Sequence, residues 1–268
     1  MELELQQLTT EVRRIATEAG NFLRKERQSF SRESVVEKHA HDYVSYVDKE
    51  SERLLVGQLS ALLPEAGFIA EEGSGVYKDE AYCWVIDPLD GTTNYIHDEA
   101  PYCVCIALRS RTELLLGVVY EVCRDECFCA WRGGRAFMNG EEIHVSGVRD
   151  IKDAFVFAEL PYNAQQYKQT ALHLIDKLYG VVGGIRMNGS AAAAICYVAM
   201  GRFDAWAEAF LGKWDYSAAA LIVQEAGGRV TDFCGNGHFM DGHHIIATNG
   251  YLHSVYQQLI AEVPPLDM

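Results

Sequence analysis

Trp84-Val85-Ile86-Asp87-Pro88-Leu89-Asp90-Gly91-Thr92-Thr93-Asn94 is the stretch whose reading decides this chain. With Tyr82 and Cys83 before it, the apolar run at 82–86 reads as a buried strand. It ends in two acids separated by Pro88 and Leu89. Pro88 stiffens the turn and donates no N–H. Asp90 follows Asp87 by three residues, so both carboxylates can converge on one point. Gly91 lets the backbone come close to a ligand. If a helix starts at Thr92, the N–H groups of Thr92, Thr93 and Asn94 lack intrahelical partners and suit an anion. Hard oxygen ligands beside an anion cradle point to Mg²⁺ bound together with a phosphate. A strand, an Asx-type turn and a capped helix use the same residue types without any ligand. Two acids at a strand end are costly without a partner, however.

The whole-chain bounds are those of an acidic globular protein, a puzzle for any site that binds an anion. At 268 residues the chain can bury a large core, as one layered unit or two tightly joined subdomains. Hydrophobic residues make up 49% and charged residues 23%, the ordinary balance of a soluble globular protein. The formal net charge is −15, from 38 acids against 23 Lys plus Arg, which argues against a nucleic-acid surface. Divalent cations would reverse that charge locally for an anionic substrate. No stretch has membrane-spanning length, and Met1-Glu2-Leu3-Glu4-Leu5 lacks the features of a signal peptide. A cytoplasmic location is therefore expected, with the eight cysteines reduced. Cys123, Cys127 and Cys129 sit close together, but not at Cys-x-x-Cys spacing and with no second pair. They read as structural thiols rather than a zinc site.

Periodicity supplies the elements outward from the motif. Residues 5–27 place Leu8, Val12, Ile15, Ala16, Ala19, Phe22 and Leu23 on one helical face. Residues 31–40 are polar and extended or loop-like. An amphipathic helix covers 48–63 and stops at Pro64; a short strand at 68–70 leads into Glu71-Glu72. Neighbours on a strand face opposite ways, so only one of these acids can face a site easily. Residues 73–80 form a polar loop. Strands follow at 104–108, 114–120 and 126–131, joined by short turns. The hairpin at 137–143 turns at Asn139-Gly140, a type I′ signal. The chain crosses into a second half near 146–153. That half alternates strands at 154–158, 203–208 and 245–247 with helices at 165–178, 191–200, 216–226 and 251–260.

Asp87-Pro88-Leu89-Asp90-Gly91-Thr92-Thr93-Asn94 resembles the signature of the inositol monophosphatases, within the Mg²⁺-dependent, Li⁺-sensitive phosphatase superfamily. Three further segments match in order: Phe68-Ile69-Ala70-Glu71-Glu72, Gly189-Ser190-Ala191-Ala192 and Trp214-Asp215-Tyr216-Ser217-Ala218-Ala219. Four motifs in register are highly specific, and the resemblance spans residues 11–260. It implies a layered αβαβα sandwich of the α+β or α/β class, with the site between an N-terminal half (1–150) and a C-terminal half (151–268). Carried over residue by residue, Glu71, Asp87 and the Leu89 carbonyl hold a first Mg²⁺. Asp87, Asp90 and Asp215 hold a second, and Glu71 also holds a weaker third ion through waters. Thr92, backed by Asp48, orients the attacking water. Asp90, Gly91, Thr92, Thr93, Gly189, Ser190, Ala191, Glu208 and Asp215 contact substrate.

The resemblance implies a phosphomonoesterase acting on myo-inositol monophosphate or a related polyol phosphate, without a covalent phosphoenzyme, and working as a homodimer. A bisphosphate nucleotidase, fructose-1,6-bisphosphatase and histidinol-phosphate phosphatase share the metal site; Thr93 and Asn94 favour the inositol branch. Some bacterial relatives act instead as partners of the transcription or ribosome-assembly machinery. Lys38 either approaches the metals or is a solvated loop lysine. Lys213, just before the Trp214-Asp215 pair, offers a charge for a second negative group on the substrate, which counts against strict preference for inositol monophosphate. The alanine-rich helix at 191–200 and the apolar strands are candidate dimer surface.

Overall fold

Strand pairing orders the chain into two large sheets. The computed structural model describes residues 4–39, 42–161, 164–237 and 239–261; Met1, Glu2, Leu3 and Ala40 of the readings above lie outside the described residues. The first part runs α1 (Leu5–Arg27), β1 (Val36–His39), β2 (Asp42–Val44), α2 (Tyr46–Leu62), β3 (Gly67–Ala70), β4 (Tyr82–Asp90), α3 (Thr92–His97), β5 (Cys103–Ser110), β6 (Leu114–Glu121), β7 (Glu126–Trp131), β8 (Ala136–Met138) and β9 (Glu141–Glu142). The second runs β10 (Phe155–Phe157), α4 (Ala164–Leu178), β11 (Gly184–Arg186), α5 (Ala191–Ala199), β12 (Ala205–Ala209), α6 (Lys213–Glu225), β13 (Arg229–Thr231), β14 (His244–Thr248) and α7 (His253–Ala261).

The seven-stranded sheet has the order β3-β4-β5-β6-β7-β8-β9, and the five-stranded sheet β11-β10-β12-β14-β13. The first is antiparallel except for β3, which runs parallel to β4. The second is mixed. β1 and β2 pair as a separate ribbon. The turn between β8 and β9 has positive φ at both Asn139 and Gly140, as the type I′ signal requires.

Helices α1 and α2 cover one face of the first sheet; α5 and α6 cover the other and also touch the second sheet. Helices α4 and α7 close the far side. The result is five layers, αβαβα. Both faces of the first sheet are therefore covered, so its strands read as continuous apolar runs. Val104, Ile106 and Leu108 pack toward α1 and α2, while Cys103, Cys105 and Ala107 pack toward α5 and α6. On the second sheet Trp206 and Ile245 face the central layer, and Ala205, Ala207 and Ile246 face α4 and α7.

Close approach in the central layer depends on small residues. A Cβ on Gly117 of β6 would lie 2.4 Å from the Ala218 carbonyl oxygen of α6, which is backbone and cannot move aside cheaply. All nine residues of α5 are buried. This corrects the reading of the alanine-rich helix as dimer surface: its faces are consumed within the chain, between the sheets. Two boundaries also move. β4 continues four residues past Ile86, through Asp90. α6 starts at Lys213, which puts Asp215 inside its first turn. Among the described residues, no helix is long and apolar enough to cross a membrane.

Candidate metal and phosphate site

Register brings the first acids together. β3 and β4 run parallel with Ala70 opposite Ile86, and the Glu71 N–H donates to the Ile86 carbonyl at 3.3 Å. Glu71 therefore leaves its strand end beside Asp87. On the other side of β4, Asp87 pairs with Cys105 and Asp90 with Cys103, so the ladder is irregular across Pro88 and Leu89. In a regular strand, residues three apart point to opposite faces. The irregularity re-aims Asp90 toward Asp87, and Pro88 fits there because it has no N–H to leave unpaired. Asp87 Oδ1 accepts the Leu89 N–H at 2.9 Å. The Leu89 side chain packs in the core beneath, which leaves its backbone facing the pocket.

Asp215 arrives from the second half at the third position of α6, where its Oδ2 accepts the Gly212 N–H at 2.6 Å. One oxygen each from Asp87, Asp90 and Asp215 lies within 4.8 Å of the others. They sit in a pocket of about 360 Å³. Its lining includes Glu71, Asp87, Leu89, Asp90, Gly91, Thr92, Thr93, Gly189, Ser190, Ala191, Glu208 and Asp215, so these expected site residues meet in one place.

Electrostatics in the pocket are strained without cations. Burial, then the Glu71, Asp90 and Asp215 charges, push Asp87 well above the usual carboxylate range. Burial, then Glu71 and Asp90, does the same to Asp215. Burial pushes Asp90 up to about 6 and Glu71 up to about 7, the latter against the pull of Lys38. Lys38 bonds Glu71 at 3.1 Å and Glu72 at 2.5 Å, so it approaches the site rather than solvent. Glu72 is nearly buried and faces Lys38. The backbone N–H groups of Glu72 and Ser74 both donate to buried Glu52 at 2.7 Å, which anchors the base of the 73–80 loop.

Asp48 lies beneath the pocket, at the third position of α2. Its Oδ2 accepts from the Ser45 N–H (2.9 Å) and hydroxyl (2.8 Å), a capping box that fixes the carboxylate. Its Oδ1 is 3.1 Å from Thr92 Oγ1, which is also 3.0 Å from the Leu89 carbonyl oxygen. Burial raises the Asp48 carboxyl above its ordinary range.

Lys213 does not line the pocket. It pairs with Asp241 at 2.8 Å, beside the Arg109–Asp241 pair at 3.0 Å, which corrects its reading as a contact for a second anion. Sequence reasoning also missed residues that do line it: Tyr43, Glu159, Phe210, Trp214 and His243. Glu159 carried a usable signal. It ends the apolar run Phe155-Val156-Phe157-Ala158, as Glu71 and Asp87 end theirs.

A sequence model of the inositol monophosphatase family matches residues 4–264. The chain belongs to the inositol monophosphatase family. It is 40% identical over 245 residues to the Nus factor SuhB of Pseudomonas aeruginosa, covering 88% of this chain and 89% of that one. It is 34% identical over 235 residues to the inositol-1-monophosphatase of Mesorhizobium japonicum, covering 87% and 88%. Among solved structures, the extragenic suppressor protein suhB of Bartonella henselae superposes with a TM-score of 0.88 at 33% identity, covering 97% of this chain and 99% of that one. The inositol monophosphatase of Anabaena gives 0.88 at 29%, covering 98% and 99%. The layered sandwich described above is thus the inositol monophosphatase fold, and the family is one of phosphatases.

Proposed function

We propose that this chain is a Mg²⁺-dependent phosphomonoesterase that hydrolyses myo-inositol monophosphate, or a related polyol or sugar phosphate, by direct attack of water. The observation that carries this reading is the convergence of Asp87, Asp90 and Asp215 within 4.8 Å at a pocket lined, among the described residues, by no Lys or Arg. The donor set fits the metal: carboxylates and one backbone carbonyl are the hard oxygen ligands Mg²⁺ takes. Glu71, Asp87 and the Leu89 carbonyl would hold one ion and Asp87, Asp90 and Asp215 a second, with two to three ions per site. When bound, the metal supplies Lewis acidity that lowers the pKa of water and offsets phosphoryl charge.

The chain's own groups divide the remaining work. Thr92 Oγ1 donates its single proton toward Asp48 Oδ1, which leaves its lone pairs to accept from the attacking water. Burial makes Asp48 the better acceptor for that proton. The N–H groups of Gly91, Thr92 and Thr93 meet the phosphoryl oxygens. Glu208 accepts hydroxyl hydrogen bonds from the alcohol, and Gly189, Ser190 and Ala191 leave room for a bulky ring. Burial, then Glu159, hold the Glu208 carboxyl well above its ordinary range, which suits it to neutral hydroxyls. We place the enzyme in the cytoplasm, as a homodimer without direct nucleic-acid contact.

The test is phosphate release from inositol 1-phosphate, adenosine 3′,5′-bisphosphate, fructose 1,6-bisphosphate and histidinol phosphate across Mg²⁺ concentrations, with and without Li⁺. Preference for inositol 1-phosphate supports the reading; preference for another ester discards the substrate and keeps the metal site. A second reading has one support, the Nus factor name of relatives 35–40% identical over 88% of this chain. It makes the chain a protein partner of the transcription machinery. A cellular phenotype that survives Asp87→Asn while phosphatase activity is lost would favour it.

A further inference from the structure

The turn Asn188-Gly189-Ser190 between β11 and α5 is gripped from two sides by the side chains of Glu159 and Asn94. From its own half, Glu159 Oε1 accepts the Asn188 N–H at 3.0 Å. Glu159 is 8% exposed. From the other half, both hydrogens of the Asn94 amide are engaged. Its Nδ2 donates to the Pro101 carbonyl at 2.8 Å and to the Asn188 carbonyl at 2.7 Å. Gly189 has a φ of +72°, and a Cβ there would lie 3.0 Å from Asn94 Oδ1, so turn and amide are in close contact. Within the turn, Asn188 Oδ1 accepts the Ser190 N–H at 3.0 Å.

The turn delivers two donors to a single oxygen a hundred residues away in sequence. The Ser190 hydroxyl (2.5 Å) and the Ala192 N–H (2.9 Å) both donate to Asp90 Oδ2. These bonds fix the rotation of the carboxylate that converges with Asp87 and Asp215. We propose that Asn94 and Glu159 are positioning residues that clip the 188–190 turn of one half onto Asp90 of the other. They thereby set Mg²⁺ affinity and the wall on which the substrate's alcohol rests. The inference rests on the reading of Asp90 as a metal ligand.

Side-chain chemistry explains the residue types. An aspartate at 94 would present acceptors to two carbonyl oxygens already within 2.8 Å, and the clip would open. A glutamine at 159 keeps the shape but removes the negative charge that strengthens the bond from the Asn188 N–H.

The experiment compares wild type with Asn94→Asp and Glu159→Gln by three readouts: calorimetric titration with Mg²⁺ alone, hydrogen exchange at the Asn188 and Ser190 amides, and steady-state kinetics. Partners that orient a metal ligand typically contribute about 10–100-fold in affinity. Asn94→Asp is expected to weaken Mg²⁺ binding and raise KM by about 10-fold or more, with kcat at saturation within about threefold. Glu159→Gln is expected to do the same by about threefold, and it carries the test if Asn94→Asp does not fold. Exchange at Asn188 and Ser190 accelerates in both. Folded variants with wild-type Mg²⁺ affinity and KM, or with a loss in kcat alone, overturn the proposal. If wild type itself binds no Mg²⁺, the metal reading fails, and exchange at Asn188 and Ser190 decides the clip: unchanged protection overturns it.

Discussion

Asp87→Asn should make the metal-free protein more stable while abolishing its activity. Asp87 is 1% exposed, and one of its oxygens lies within 4.8 Å of an oxygen of Asp90 and of Asp215. At an effective dielectric of about 20, two charges at that separation repel by about 3.5 kcal/mol. Two such pairs give about 7 kcal/mol if every group is ionised. Proton uptake relieves most of this, since the cluster is held well above the carboxylate range, and about 1–3 kcal/mol remains to be recovered. Asparagine is nearly isosteric, and its Oδ1 still accepts the Leu89 N–H. For a chain of this size each kcal/mol moves Tm by about 2–4 °C, so the variant should melt about 2–12 °C higher in EDTA at pH 8. Millimolar Mg²⁺ should then raise the wild-type Tm strongly and the variant's weakly. Differential scanning calorimetry with and without Mg²⁺ reads both effects. A variant that melts at or below wild type in EDTA would refute the claim that these acids are held together against their own repulsion.

Thr92→Ala should lower kcat by about 100-fold with little change in KM, since the hydroxyl orients water rather than substrate; full activity in a single-turnover assay would remove Thr92 from the mechanism. Metal-free stability should fall as pH rises. Glu71 and Asp90 have folded pKa values raised to about 7 and about 6, so their stabilising contribution is complete below their ordinary values near 4 and is lost on approaching neutrality. Saturating Mg²⁺ should flatten that dependence in a Tm-against-pH series. Bisphosphorylated substrates should be turned over at a kcat/KM at least about tenfold below inositol 1-phosphate, because among the described residues no Lys or Arg lines the pocket and Lys213 is held by Asp241. Gly117→Ala should cost about 1–3 kcal/mol in urea unfolding, because its Cβ would meet the Ala218 backbone.

The sequence by itself determined what local pattern can specify. The helix at Leu5–Arg27, the apolar strands, the Asn139-Gly140 turn and the acidic strand end at 87–90 follow from periodicity and from residues with restricted backbone geometry. Two acids, a glycine and two threonines in that spacing also suit a hard cation beside a phosphate, and the proposed function rests on that reading. Tertiary structure decided everything that joins distant segments. Glu71 reaches Asp87 only through the parallel register of β3 and β4. Ser190 reads in sequence as a substrate contact, yet its hydroxyl donates to Asp90, a hundred residues earlier. Lys213 is paired with Asp241 and does not line the pocket, and α5 is buried on every side because two sheets close over it. Periodicity records which face of an element is apolar. It does not record which other element covers that face, and these side chains take their roles from that neighbour.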